Sequence, residues 1–345
     1  MKRSMAFFLV LVLALSVLSG CAENVQKETD SVNNGSAEPS KVYKIRIANQ
    51  QAVEHPQTQA IYKFEKIVEE KSNGGMQVEV YPSGQLGSAE AYTDSLIQGA
   101  IEMALPGTVM AQFYPGAAIP EFPFLFRDWD HARKVLDGPL GEEIHKGIVE
   151  KVGVRALGMT PLAFRVISSN REITNFEDFK GLRLRTPNIP FYLDFARGLG
   201  ANVISMPLTE LYTALEQGVV DAQENPYATI TTSKIYEVQD YILESRHIFT
   251  AHGWYVNEEF YQSLPEDYRK IINDAVKEAI AYCYDLSIQT EKDAVKYLEE
   301  KGLKIHVPNE EFMKKLRDSF EPYKENFFKM YPGSEEIIEK IKLVQ

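Results

Sequence analysis

The chain has 345 residues, 44% of them hydrophobic and 25% charged, with a formal net charge of −12. That length suits two lobes of roughly 100–150 residues rather than one ordinary domain, and the composition supports a sizeable core without disulfides or metals. The acidic balance argues against nucleic acid or an anionic membrane surface as partner, because the whole-molecule field repels phosphate, yet a few buried arginines can still make a positive pocket for a small anion.

At the N-terminus, Lys2 and Arg3 precede an apolar run over residues 5–18. The run is too short to span a bilayer and has the shape of a signal peptide, so residues 1–20 are expected to be removed, leaving the chain two charges more negative. It ends in Leu18-Ser19-Gly20-Cys21, which resembles the bacterial lipobox. Lipid on Cys21 would anchor the protein to the outer face of the cytoplasmic membrane, in the periplasm or at the cell surface. The alternative is ordinary secretion, with Cys21 a chance residue. Residues 21–41 then read as a flexible tether rich in Asn, Ser, Glu and Gly. No later stretch is long and apolar enough to cross a bilayer, so the anchor is the expected membrane contact.

Alternation over residues 42–48 predicts a strand. Ile61, Phe64, Ile67 and Val68 follow at helical spacing until Asn73-Gly74-Gly75 stops them. Residues 77–81 form a strand closed by Pro82-Ser83-Gly84, Ser88 caps a helix running to Gln98, and residues 101–105 are a third strand. The same grammar returns with strands at 181–186, 202–206 and 219–223 and helices at 190–198 and 209–217. Strands alternating with helices imply a largely parallel α/β sheet. Leu96-Ile97-Gln98-Gly99-Ala100-Ile101-Glu102 echoes Leu215-Glu216-Gln217-Gly218-Val219-Val220-Asp221, either by coincidence between two helix–strand joints or because two lobes share a design. Ligands of open α/β sheets sit at the carboxyl ends of strands, and two facing lobes make a cleft. Residues 265–301 predict one long helix, with Cys283 packed inside it.

The sequence lacks GxSxG, HExxH, Walker A, CxxC and EF-hand patterns, its six histidines are scattered, and two cysteines cannot build a disulfide framework. No catalytic residue, cofactor or metal is expected, although 49 acidic residues leave a glycosidase-type carboxylate pair open. In Gly181-Leu182-Arg183-Leu184-Arg185-Thr186-Pro187-Asn188, alternation puts the leucines on one face and the arginines on the other. Pro187 ends the strand, so Arg185 stands at its carboxyl end. A guanidinium there can hold a carboxylate by two parallel hydrogen bonds, or serve a structural ion pair. Asn225, in the run from Asp221 to Pro226, is either an amide donor to the ligand or a plain turn former. Arg165 interrupts an apolar stretch, where a charge needs an anionic ligand or a buried acid.

Taken together, KGLRLRTPN, SMPLTELYTALEQGVVDAQENP and YEVQDYILESRH, with YPSGQLGS and FYPGAAIPEFPFLF, resemble the signature stretches of the DctP-type solute receptors. These are the extracytoplasmic subunits of TRAP transporters (tripartite, ATP-independent, periplasmic), and the resemblance covers about residues 41–340. It implies a two-lobed, periplasmic-binding-protein-like α/β fold with a hinge and a long helix spanning both lobes. Lobe I would be residues 42–162 plus 251–290, and lobe II residues 163–250 plus 291–345. It also implies a small organic anion as ligand, a sugar acid such as a hexuronate first and a C4-dicarboxylate next. Arg185, Arg165, Asn225 and Asn188 would hold it for delivery to the transporter's membrane subunits. Thr186 replaces the family's valine. Leu208 stands where many members carry phenylalanine, which removes an aromatic wall, and Pro106-Gly107 where some carry an acidic residue, which disfavours a ligand decorated like sialic acid. Asn49, Gln50, Glu54 and His55 follow the first strand and could meet hydroxyls of a sugar acid, or form a solvated loop. Two other readings are a lipoprotein hydrolase acting on acidic sugars, which would need a catalytic constellation, and a sensor presenting its ligand to a membrane kinase.

Overall fold

The computed structural model describes residues 41–345; the signal segment, Cys21 and all but the last residue of the tether lie outside the described residues. The chain enters through β1 (Tyr43–Asn49), α1 (Pro56–Lys71), β2 (Met76–Tyr81), α2 (Ala89–Ile97) and β3 (Met103–Leu105), with both outer strands parallel to β1. His55 caps α1 and Ser88 caps α2 through their side chains, which satisfies backbone N–H groups that a helix start leaves free. Ile61, Phe64 and Val68 of α1 bury against Ile45, Ile47 and Met76.

Two 3₁₀ segments, Gly107–Gln112 and Pro115–Glu121, then lead to three short helices, α3 (Trp129–Leu136), α4 (Pro139–Ile144) and α5 (Ile148–Val152). Beyond them runs β4 (Val154–Ser169), 16 residues long. A second strand–helix series follows: β5 (Arg183–Thr186), α6 (Pro190–Gly198), β6 (Asn202–Ser205), α7 (Leu208–Glu216), β7 (Ala222–Pro226), α8 (Tyr227–Thr232) and β8 (Tyr241–Leu243). The chain closes with β9 (Phe249–Asn257), α9 (Glu258–Ser263), α10 (Glu266–Glu300), β10 (Lys304–His306), α11 (Glu310–Phe320), α12 (Lys324–Met330) and α13 (Ser334–Leu343).

The main path of strands is β2-β1-β3-β9-β4-β7-β5-β6, with β8 paired to β4 and β10 to β8. The expectation of a largely parallel sheet needs correction. β4 is antiparallel to β7, β8 and β9, and β9 is antiparallel to β3. β9 is buried at all nine positions and β4 at most of its length, so neither shows the alternation that reveals a half-exposed strand. β4 belongs to both strand groups. Up to Phe164 it pairs with β9, and from Arg165 onward it pairs with β7 and β8. The expected strand 219–223 also shifts, because pairing of Val166 with Asn225 and of Arg165 with Pro226 carries the ladder through what the sequence reads as a turn.

Two bulges interrupt the β4–β9 ladder, at Ala156/Gly158 and Pro161/Ala163. Gly158 has φ 147°, and a Cβ there would lie 2.6 Å from Ile280 Cδ1 of α10. Ala163, at φ 132°, holds the same glycine-favouring backbone region with a side chain attached, which is strained. α10 has 35 residues and no Gly or Pro. Its Ile272-to-Tyr284 portion packs with α1 and β1, whereas Ala294 and Leu298 pack with Val166, Leu211 and Ile242. Among the described residues no helix is long and apolar enough to cross a membrane.

Candidate functional site

The strand ends meet as the alternation requires. Leu182, just before β5, and Leu184 on it turn into the core, and both arginines take the other side. Their fates differ. Arg183 donates from its backbone and guanidinium to Asp221, so it is the structural ion pair. Arg185 is only 2% exposed, and among the described residues no carboxylate bonds to it. Its Nε and Nη2 donate to the backbone carbonyl of Met206 at 3.0 and 2.6 Å. Burial lowers its pKa to about 10, which leaves it charged at neutral pH. A guanidinium has five N–H donors, so Nη1 and one proton of Nη2 stay available as an end-on fork.

Arg165 enters from β4 and takes the other solution. Its Nε bonds a carboxylate oxygen of Glu224, and its Nη2 donates to the second oxygen at 2.9 Å and to the Glu224 carbonyl at 2.6 Å. Nη2 also reaches Asn225 Oδ1 at 3.0 Å. Burial alone would raise the Glu224 carboxyl, but Arg165 and His247 outweigh it and hold its pKa below the ordinary value. His247, stacked on Phe195 at 4.6 Å, places Nε2 3.5 Å from Glu224. A second buried acid, Glu121, accepts from Tyr192 Oη at 3.0 Å, and burial pushes its pKa up to about 8. The Tyr192 ring lies under the Arg165 guanidinium at 5.1 Å.

Arg165, Arg185, Asn225, Asn188 and Leu208 line one wall of a cleft whose space, mouth included, is about 550 Å³. The facing wall comes from Gln50 and Gln51 after β1, Ser88 and Glu90 at the start of α2, and Thr108 after β3. Leu162 of β4 and His252 of β9 also line it. His252 Nδ1 meets the Gln57 amide at 3.0 Å, and burial lowers its pKa to about 3, so it presents a neutral imidazole. Gly107, at φ 69°, passes so close that a Cβ there would stand 2.6 Å from His252 Nε2. The Gln112 side chain donates to the Asn188 carbonyl at 3.1 Å, a direct bond between the two walls.

Six of the residues singled out from the sequence therefore share this cleft: Arg185, Arg165, Asn225, Asn188, Gln50 and Leu208. Three do not line it. Asn49 is buried and turns Oδ1 back to the Gln51 amide at 2.7 Å; Nδ1 of His55 accepts from Gln57 N; Glu54 is exposed. Asn225 is not a turn residue: its Oδ1 serves Arg165, and Nδ2 donates one proton to Gln223 at 2.5 Å. Sequence reading missed Gln51, Glu90, Thr108 and His252 and took Ser88 only as a cap. Their positions in loops, a first helical turn and a wholly buried strand carry no pattern. Among the described residues no cluster of His, Cys, Asp and Glu could hold a metal ion.

Comparison with known proteins agrees in fold and extent. The family model for bacterial extracellular solute-binding proteins, family 7, matches residues 47–330. An uncharacterized protein of Haemophilus influenzae is 35% identical over 298 residues, covering 86% of this chain and 90% of that protein. A TRAP periplasmic solute binding protein from Haemophilus influenzae RdAW, solved with bound L-gulonate, superposes with TM-score 0.84 at 34% identity, covering 88% of this chain and 100% of that one. The sugar acid binding protein DctPAm from Advenella mimigardefordensis, in complex with galactonate, gives TM-score 0.83 at 34% identity, over 88% and 97% of the two chains.

Proposed function

The chain belongs to the bacterial extracellular solute-binding proteins of family 7, and we propose that it captures a sugar acid, held at Arg185 by its carboxylate, for a TRAP transporter. The observation that carries this reading is the state of Arg185: a charged side chain, 2% exposed, bonded to a backbone carbonyl and, among the described residues, to no acid. A buried cation without a counter-charge is costly, and a ligand carboxylate on the free Nη1/Nη2 fork removes that cost. The aldonates bound by two related receptors support a sugar acid over a C4-dicarboxylate.

Capture is closure on the ligand. The anion touches both walls, so it binds the closed arrangement more tightly than the open one and shifts the population toward it. Residues 42–162 plus 251–290 would move against 163–250 plus 291–345, a division supported by the change of partners in β4 between Phe164 and Arg165. The closed receptor then docks on the membrane subunits, and no bond of the ligand is made or broken. The lipobox-like run ending at Cys21 supports an extracytoplasmic lipid anchor, and Cys21→Ser should move the protein from the membrane to the soluble fraction.

A thermal-shift screen of galactonate, L-gulonate, glucuronate and succinate tests the reading. A true ligand at 100 times its Kd adds about 2.7 kcal/mol of stability. Absence of a shift with every organic acid would overturn it.

A further inference from the structure

We propose that Glu90 restricts the cleft to ligands with a single negative charge, so that the captured acid is a monocarboxylate whose remaining length carries only hydroxyls. The inference rests on Arg185 as the carboxylate partner and adds a second specificity residue at the far wall.

Among the described residues four titratable side chains line the cleft: Glu90, Arg165, Arg185 and His252. Arg165 is already neutralised by Glu224 through Nε and Nη2. His252 is buried, bonded to Gln57, and uncharged. Arg185 is left, among the described residues lining the cleft, as the cation with no acid bonded to it, and one carboxylate satisfies its free donors. Among the described residues no further lysine or arginine lines the space.

Glu90 lines the same cleft from the first turn of α2, partly exposed. Among the described residues it has no ion-pair or hydrogen-bond partner of its own, and it lies close enough to Arg185 to act on that guanidinium's charge. A ligand anchored at Arg185 extends toward Gln50, Gln51, Ser88, Thr108 and Glu90. Hydroxyls suit that wall, since a carboxylate accepts them in charge-assisted hydrogen bonds and the amides and hydroxyls donate or accept as needed. A second carboxylate or a phosphate brought there meets a like charge and no cation, which disfavours it in a partly desolvated site.

The test compares aldonates of four to six carbons with the corresponding aldarates, which differ only in oxidation of the terminal carbon: threonate with tartrate, xylonate with xylarate, galactonate with galactarate. Calorimetry on the full chain should find the preferred aldonate bound at least about 30-fold more tightly than its aldarate. Glu90→Gln should narrow that ratio about tenfold or more, chiefly by strengthening the aldarate, whereas Glu90→Asp keeps the charge and should keep the ratio. An aldarate or succinate bound as tightly as the aldonate, or a ratio unmoved by Glu90→Gln, overturns the proposal while leaving carboxylate capture in place. Galactonate binding that survives Arg185→Ala, or no binding of any acid, overturns the underlying reading instead.

Discussion

Arg185 gives two of its donors to one acceptor, the backbone carbonyl of Met206, with Nε at 3.0 Å and Nη2 at 2.6 Å. The carbonyl fixes the guanidinium plane without neutralising it. Arg185→Ala should therefore lower affinity for the carboxylate by about 30-fold or more, the cost of losing one partner of a buried charged hydrogen bond. The unliganded protein should keep its melting temperature or gain slightly, because no acid is left unpaired. Arg185→Lys should not restore binding, since an ammonium cannot serve the carbonyl and the carboxylate in one plane. Calorimetry and thermal unfolding together check this.

Arg165 predicts the opposite pattern. Glu224→Gln leaves its guanidinium buried and uncompensated, and should destabilise the fold by about 3–5 kcal/mol in urea unfolding. Removing both charges with apolar residues of similar volume should recover much of that loss. Little change in the single variant would show that Glu224 does not hold Arg165.

The buried acid Glu121 makes stability fall on the alkaline side. Its pKa is raised from 4.5 to about 8, so between those values the folded state holds a proton that the unfolded chain releases. Stability then falls as pH rises through that window, by at most about 1.4 kcal/mol per unit. The buried His55 and His252, lowered to about 3, and His145, lowered to about 4, act the other way. Unfolding lets them take up protons below 6.5, so stability also falls as pH drops from there. Melting temperature should peak at about pH 6.5. Glu121→Gln should flatten the alkaline limb and leave the acid limb intact.

Gly107 tests the wall near His252. Gly107→Ala puts a Cβ 2.6 Å from the ring and forces a positive φ on a side chain, so it should cost about 1–2 kcal/mol of stability and about tenfold or more in ligand affinity. Gly107→Asn tolerates that backbone better yet collides with the ring equally. It should lose the same affinity with less loss of stability, which separates the two effects in paired calorimetry and unfolding measurements.

Much of the first strand group and the α6–α7 series is legible in the sequence, because half-exposed strands alternate and glycines mark helix ends. β4 and β9 are not, since both of their faces are buried. Residues 107–152 form 3₁₀ turns and helices too short to show a period. Within the cleft, Arg185 is readable from alternation and the proline after it. Arg165 is ambiguous in the sequence because only the β4–β7 pairing brings it against Glu224. Asn49 and His55 mislead for a common reason: a polar residue at or just past a strand's end can turn to the backbone as readily as to a ligand. Glu90 and His252 become visible only when the two walls are assembled.

The helix α10 behaves as a beam with no joint. Its 35 residues extend about 50 Å, with apolar side chains clamped into one strand group near Ile272 and the other near Leu298. Without proline or glycine it has no place to kink, so bending of the molecule is refused there and must be concentrated elsewhere. The β4–β9 ladder offers the compliant points, its two bulges, one of them at the strained Ala163. That residue lies next to Leu162 on the cleft wall and two positions before Arg165. The strained backbone and the buried Arg165–Glu224 pair thus meet within a few residues of one strand, so a shift at the bulge is passed straight to that pair.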